Sequence, residues 1–420
     1  MSRSHRPHVV VIGSGIAGLG AAHALAPDHH VTLVERDQRL GGHAHTIAHR
    51  DPHLGEVGLD TGFLVHNPVT YPRLVRLFDD LGVACRDTRM SFSVSCRACG
   101  IEYAGTRLWR QPAVVTDPRL RRLMTELIGF LRRSPHHADD PGVARMTLDD
   151  YVAAFRHTSA FRDHYLVPLT AAIWSTAPGR VREFPMGYAL GFYRNHGMLG
   201  FRRHRWRTVA GGSTRYVQAI AAGLGTGVHR GVGVRRLERT GQGVRVHLHD
   251  GRVLTADAAV IATHPDAALA MLDAPTPDET RVLSALPYTH SEAVLHTDTA
   301  LLPRRRACRA AWNYQLADCA APDDAPTLTY SLNRLQRLET PVEYMVTLNR
   351  GADIDPARVI TTIPYAHPRY TFTSLEAQRE LPRLQGTGRT WFAGAYHGHG
   401  FHEDGLRAGQ EAARMVREAL

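Results

Sequence analysis

The sequence predicts an α/β protein in which a parallel sheet, covered on both faces, is interrupted in the chain by a second, α+β region. Three observations predict it. A continuous apolar run near the start leads into a glycine turn, a helical stretch and a second apolar run. A strand-rich segment from 228 to 263 ends in another buried run, Ala259-Val-Ile-Ala262. The chain has 420 residues, which at roughly 150 per domain allows two to three domains.

The first of these elements is His8-Val-Val-Val-Ile12, an unbroken apolar run of the kind that forms a parallel strand buried on both sides. Gly13-Ser14-Gly15-Ile16-Ala17-Gly18 follows at once, and a helix is expected from Ile16 to about Leu25, ended by Pro27. Val31-Thr-Leu-Val34 is the second strand, closing on Glu35, 22 residues after Gly13. One glycine makes the tight turn, one lets a pyrophosphate approach the backbone at the helix N-terminus, and one lets helix pack closely on strand. Glu35 is placed to accept hydrogen bonds from the ribose hydroxyls of an adenosine. Strand, turn, helix, strand and acid together make a Rossmann-like dinucleotide-binding unit. No second glycine fingerprint follows a strand, since Gly223-Leu-Gly-Thr-Gly227 comes after a helical stretch and reads as a turn. A separate nicotinamide domain is therefore not expected.

Composition narrows the classes further. Apolar residues at 43% and charged residues at 21% are those of a folded globular chain. All 50 Lys-or-Arg residues are arginine, which removes every mechanism that needs a lysine amine, from Schiff bases to the P-loop. The net charge of +10 comes without a zinc-finger, basic-zipper or RRM signature, so no nucleic-acid partner is expected. Five cysteines are too few for a disulfide framework. Met1 to His8 is polar, and no apolar run reaches the roughly 18 residues of a membrane span, so a cytoplasmic location is expected.

Glu35 followed by Arg36 and then Arg39-Leu40-Gly41-Gly42 resembles the FAD-binding segment of the flavin-containing amine oxidase superfamily, which also holds phytoene desaturases and protoporphyrinogen oxidases. Gly58-Leu-Asp-Thr61-Gly62-Phe63, the strand-rich 228–263 segment with Val234, and Trp391-Phe-Ala-Gly394 through Gly409 resemble three further parts of that family. Asp60-Thr-Gly-Phe63, Ala172-Ile-Trp-Ser-Thr176, Trp206 to Gly212 and Gly400-Phe-His-Glu-Asp-Gly405 are similar to one bacterial branch, described only as predicted NAD/FAD-binding proteins and often encoded beside cyclopropane-fatty-acid synthases. The resemblance implies FAD as cofactor, an amine-oxidase type fold, and cofactor contacts at Gly13 to Gly18, Glu35, Arg36, Gly42, His43, Thr61, Gly62, Val234 and Gly394. Two departures stand out. Gly41-Gly42-His43 lacks the arginine that usually follows two glycines and meets the pyrophosphate, so His43 or Arg36 is the expected substitute. Phe392-Ala-Gly-Ala395 lacks the acid that usually holds the ribityl chain, so Glu403 or Asp404 is the expected substitute, with a helix starting near Gly405 aimed at the flavin.

The expected FAD-binding domain comprises 1–63, 206–285 and 388–420, and the substrate domain 64–205, helical with Pro breaks, and 286–387, with short strands. His397 and His402 are the candidate catalytic side chains. His402 is the stronger, because Glu403 and Asp404 beside it favour a protonated imidazole. No metal is expected: Cys96-Arg-Ala-Cys99 has no second C-x-x-C, and Cys308 and Cys319 flank Trp312-Asn-Tyr314, a poor ligand pattern. Leu120, Leu123, Met124, Leu127, Ile128 and Leu131 repeat at helical spacing between arginines at both ends. That face reads either as core or as a peripheral contact with an anionic membrane surface. The expected function is hydride removal from a small hydrophobic, fatty-acyl or lipid-like substrate. The alternatives are an amine oxidase acting on a small amine and a non-catalytic FAD-binding partner of a lipid-modifying methyltransferase. Oligomeric state is left open.

Overall fold

A computed structural model describes residues 6–106, 111–200, 204–321 and 327–420. Its centre is a five-stranded, all-parallel sheet in the order Thr390–Phe392, Ala258–Ile261, His8–Ile12, His30–Glu35, Val228–Arg230. The run His8–Ile12 is apolar throughout because both faces of its strand are covered. Val9 and Val11 enter a core with the helices Ile16–Leu25 and His402–Ala419. Val10 and Ile12 enter the opposite core, under the three-stranded meander Val234–Arg239, Val244–Leu248, Val253–Ala256 and the helices Pro277–Ser284 and Phe372–Leu384. The helices Ile16–Leu25 and His402–Ala419 cross very closely: a Cβ on Gly409 would stand 2.0 Å from the Ala17 carbonyl oxygen. That crossing holds the C-terminal segment beside the glycine turn.

A second, seven-stranded sheet runs in the order Val359–Pro368, Tyr288–His296, Met345–Leu348, Leu328–Ser331, Trp312–Leu316, Phe92–Cys96, Glu102–Ala104. The hairpin Phe92–Cys96/Glu102–Ala104 departs from the helical expectation for 64–205, because it pairs in parallel with Trp312–Leu316 and extends that sheet. A helical lobe spans Ala113 to Asn195 and packs on this edge.

Within the lobe, the helix Pro118–His137 turns its apolar face inward. Leu120 and Leu123 are fully buried, Leu127 and Leu131 pack against the same core, and Ile128 remains exposed. The membrane-surface reading needs these leucines free, and the lobe has covered them. At the arginine-rich start, Arg119 is bound to Asp117, with Nη2 to Oδ2 at 2.8 Å. No described helix is long and apolar enough to cross a membrane.

The lobe also corrects the reading of the cysteines. Cys308 is buried alone, its thiol donating to the Glu102 carbonyl. Cys319 comes to Cys96 and Cys99, and His164 joins them.

Candidate active site

The parallel sheet delivers Gly13 and Glu35 to neighbouring strand ends. The Glu35 carboxylate ties the turn together: Oε2 accepts from Ser14 N at 2.8 Å and from Ser14 Oγ at 2.5 Å, and Oε1 accepts from Asp37 N at 2.9 Å. Gly41 N donates to the Ser14 carbonyl at 3.1 Å, which draws the Gly41-Gly42 turn onto the first. A carboxylate has about four acceptor sites, so Glu35 keeps capacity for hydroxyl donors. Gly18 is required by contact, since a Cβ there would lie 1.8 Å from the Gly13 carbonyl oxygen. Gly15, in contrast, faces open space, with nothing within 4 Å of an added Cβ. It is the N-cap of Ile16–Leu25, and no side chain caps the helix. Ile16 and Ala17 are buried behind it. Bare N–H groups and the helix dipole therefore point into free space, which is the physical requirement for an anion cradle.

Of the two expected substitutes for the missing arginine, Arg36 lies at the surface and His43 is neutral. Arg36 has an 81% exposed side chain that pairs with Asp37 at 3.5 Å. His43 stacks on Tyr365, with ring centroids 4.6 Å apart. Burial, then His367, His264, His402 and Arg39 around it, push its pKa well below the ordinary value, so it is neutral. Arg39 instead braces the turn, donating from Nη1 to the Gly42 carbonyl at 2.9 Å. Thr61 Oγ1 meets the Tyr365 hydroxyl at 2.8 Å, and Gly62 backs directly onto the His43 carbonyl. Val234 is half-buried at the start of the meander, against the core on the far face of the parallel sheet.

The segment after Thr390–Phe392 forms the opposite wall. Gly394 lies against the Tyr396 ring. The Gly398 carbonyl accepts from the Tyr188 hydroxyl (2.8 Å), the Tyr370 hydroxyl (2.7 Å) and Gln378 Nε2 (2.8 Å). The His399 carbonyl accepts from Trp174 Nε1 at 3.0 Å. Donors from the helical lobe and from residues 370 and 378 thus fix this loop against the turn.

Three expectations about the loop are corrected. The helix starts at His402 rather than near Gly405. Glu403 is held by another helix: its oxygens accept from Arg73 N at 2.9 Å and Leu74 N at 3.0 Å, the free N–H groups that open Pro72–Asp80. Asp404 accepts from Phe401 N at 3.1 Å and caps its own helix. Burial pushes Asp404 up to about 6 and raises Glu403. Both acids are thus engaged by backbone N–H groups of helix starts. The third correction concerns charge. His402 stacks on Phe63 at 3.8 Å, and its Nε2 meets the Tyr216 hydroxyl at 3.0 Å. Burial, with His66 adding to it, pushes its pKa down to about 3, so it is neutral despite its acidic neighbours. His397 is also brought to about 3, by burial and then Arg407.

His43, His367, His397 and His402 lie deep in the protein, yet each keeps some accessible surface. His43 Nε2, His367 Nδ1, His397 Nε2 and the Tyr396 hydroxyl are buried with no hydrogen-bond partner. Orphaned polar atoms beside an uncapped helix end and a carboxylate with spare acceptor sites fit a large dinucleotide with polar edges. Tyr365 and His367 are contributors that the sequence reading missed. Their spacing of two on one strand face was the available signal. A surface cleft of about 600 Å³ lies elsewhere, near Gly58, Arg86, Gly211 and Arg337, and none of these side chains lines it.

Residues 16–304 match the family model described as flavin containing amine oxidoreductase. AofH of Mycobacterium tuberculosis, which carries the name of a flavin-containing monoamine oxidase, is 29% identical over 293 residues, covering 66% of this chain and 61% of its own length. Coproporphyrinogen III oxidase of Propionibacterium freudenreichii is 26% identical over 345 residues, covering 68% and 62%. The chain thus spans about three fifths of each of these relatives. Among solved structures, cyclohexylamine oxidase of Brevibacterium oxydans superposes with TM-score 0.68 at 18% identity over 99% of both chains. The CLA-producing fatty acid isomerase of P. acnes superposes with TM-score 0.65 at 17% identity, again over 99% of both. These superpositions show a shared fold.

Proposed function

The chain belongs to the flavin-containing amine oxidoreductase family and takes FAD, and on that premise we propose that it is an FAD-dependent oxidoreductase acting on an uncharged hydrophobic substrate of fatty-acyl or lipid type. One observation supports the substrate class: the imidazoles of the site are neutral, and each of the acids around it already accepts hydrogen bonds from protein donors rather than standing open to a cationic amine. Glu403 and Asp404 are bound to backbone N–H groups. Asp60 already accepts from Thr46 Oγ1 (2.6 Å) and from Ser213 N and Oγ (2.8 Å each). The loop itself is walled by the rings of Trp174, Tyr188, Phe192, Tyr370 and Phe401. Burying an ammonium without a partner costs several kcal/mol, whereas each CH2 of a chain buried against such rings gains about 0.8 kcal/mol.

When bound, FAD supplies the hydride acceptor. The chain's own part is binding and exclusion of water. The uncapped helix end at Gly15 takes the pyrophosphate, and Glu35 takes ribose hydroxyls. Gly42, Thr61, Gly62 and Gly394 would hold the cofactor through backbone contacts. The clamp on the Gly398 and His399 carbonyls keeps the loop closed over the site. With pKa values near 3, the His397 and His402 imidazoles stay neutral, and their part is packing and hydrogen bonding rather than proton transfer. The chain holds no lysine, so a lysine-and-water arrangement for amine oxidation is absent.

The second reading, oxidation of a small amine, is favoured by the name of AofH and by the cyclohexylamine oxidase fold. Anaerobic mixing of the FAD-loaded protein with a neutral lipid extract and, separately, with an amine panel distinguishes them through loss of flavin absorption. Bleaching by the lipid fraction is expected. Bleaching by amines at equal or greater rate overturns the proposal, and bleaching by neither supports a non-catalytic FAD-binding partner.

A further inference from the structure

Three thiols and an imidazole converge at one end of the seven-stranded sheet, away from the glycine turn and the flavin loop. Cys96 ends the strand Phe92–Cys96, Cys99 lies on the turn that follows, and Cys319 lies in the loop after Trp312–Leu316. His164 comes from the lobe, on the π-helical segment Arg162–Leu166. The four ligand atoms, one per residue, all lie within 4.8 Å of one another, with Cys99 Sγ and His164 Nε2 at 3.3 Å. We propose that Cys96, Cys99, His164 and Cys319 form a Cys3His site that binds one Zn2+ and staples the helical lobe to the sheet.

The local construction supports a metal in several independent ways. Zn–S bonds of about 2.3 Å and Zn–N bonds of about 2.0 Å set tetrahedral edges of about 3.6–3.8 Å, so atoms this close surround a single ion after small movements. Three thiolates and an imidazole select a soft, tetrahedral ion over Mg2+ or Ca2+. Cys96-Arg-Ala-Cys99-Gly100 is a tight turn: Gly100 has φ +73°, Gly100 N donates to the Cys96 carbonyl at 3.1 Å, and Cys96 N to the Ile101 carbonyl at 2.8 Å. Backbone hydrogen bonds from Cys99 to Cys96 and from Ile101 to Cys99 reach the two sulfurs and offset thiolate charge. His164 Nδ1 meets the Ala160 carbonyl at 3.0 Å, which places the proton on Nδ1 and leaves the Nε2 lone pair facing the sulfurs. The π segment is the local irregularity that presents this imidazole. Arg119 Nη1, on the Cys99 carbonyl at 2.9 Å, brings positive charge to a ligand set whose net charge with Zn2+ is −1. A disulfide would join two of the sulfurs and leave the third sulfur and the imidazole without a role.

Four protein ligands leave no open position, so the ion is structural rather than catalytic. Its place in the chain gives it reach. Arg162–Leu166 continues into the helix Val167–Trp174, whose Trp174 donates to the His399 carbonyl of the flavin loop. The metal anchors one end of that segment, and the other end positions the loop.

The test is metal analysis of the FAD-loaded protein purified from zinc-supplemented cells without chelator, with Zn K-edge absorption to read the ligands. About one Zn2+ per chain with three sulfur and one nitrogen neighbours is expected. Cys99→Ser and Cys319→Ser should lose the metal, while Cys85→Ser, outside the cluster, should retain it. If the variants fail to fold, the wild-type metal count and ligand set decide alone. A wild type that carries under about a tenth of an equivalent and takes up no added Zn2+, with its three thiols free or two of them joined as a disulfide by mass spectrometry, overturns the proposal.

Discussion

The glycine turn at Gly13–Gly18 and the sulfur–imidazole cluster at Cys96, Cys99, His164 and Cys319 are assembled over very different chain separations. In the turn, the residues that matter lie within one strand–helix–strand unit, and Ser14 reaches Glu35 across 21 residues. In the cluster, Cys99 and His164 are 65 residues apart, and Cys319 comes from another part of the sheet. Close backbone contact makes the first region intolerant of added atoms. The second depends on the helical lobe being docked on the sheet. The lesson is that two polar centres of similar size in one chain answer to different perturbations, one to local sterics and the other to packing between distant elements.

The largest effect is expected at the turn. Gly18→Val places a Cβ 1.8 Å from the Gly13 carbonyl oxygen, and with no room for the backbone to yield, the cost should exceed about 4 kcal/mol. Denaturant midpoints and FAD retention measure it, and near-wild-type values would remove the steric half of the comparison. Next comes the lobe. Leu123 is 2% exposed, so Leu123→Asp buries an unpaired carboxylate or opens the lobe and should cost about 3–4 kcal/mol. Calorimetry reads the loss, and wild-type protein should not cosediment preferentially with anionic liposomes. A stable variant together with salt-sensitive vesicle binding by the wild type would restore the membrane-surface reading.

A smaller effect, pH-dependent, is expected at Asp60. Burial pushes this carboxyl up to about 6 against the hydroxyl and N–H donors of Thr46 and Ser213, which favour the anion. A raised folded-state pKa means that the contribution of Asp60 is fully present below about pH 4 and is lost as the pH rises through about 6. The stability of the wild type relative to Asp60→Asn should therefore fall by about 2–2.5 kcal/mol between pH 4 and 7. Parallel urea titrations check this, and a constant difference would show that Asp60 ionises normally. The smallest effect is expected for the loop imidazoles. With His397 and His402 both near 3, flavin reduction under single turnover should show no imidazole titration between pH 5.5 and 8, and His402→Ala should change the rate only a few-fold. A step near pH 6.5 that disappears in His402→Ala would contradict the neutral assignment.

How much was legible in the sequence follows the same division. His8–Ile12, Ile16–Leu25 and His30–Glu35 could be read because the apolar runs, the glycines and the acid sit within 28 residues and constrain one another. The periodicity from Leu120 to Leu131 revealed an apolar face but not what covers it, since the covering residues come from elsewhere in the lobe. Glu403 and Asp404 beside His402 suggested a charged imidazole. Its charge is set instead by Phe63, His66 and Tyr216, which no local pattern connects to it. Glu403 itself is taken by Arg73 N, 330 residues away. Cys96 and Cys99 were visible as a pair, but His164 carries no mark in the sequence, because convergence on a common point is a property of packing and not of spacing.

We propose that the Gly13–Glu35 unit holds FAD through an uncapped helix end and a carboxylate. The direct measurement is FAD and NAD titration of the apoprotein, made by removing any copurified flavin, for the wild type and Glu35→Ala. A wild type that is yellow on purification and rebinds FAD in preference to NAD is expected, with a variant that binds FAD about tenfold or more weakly, the equivalent of about 1.4 kcal/mol or more for a lost charged hydrogen bond. A colourless wild type that takes up NAD and no FAD would contradict it.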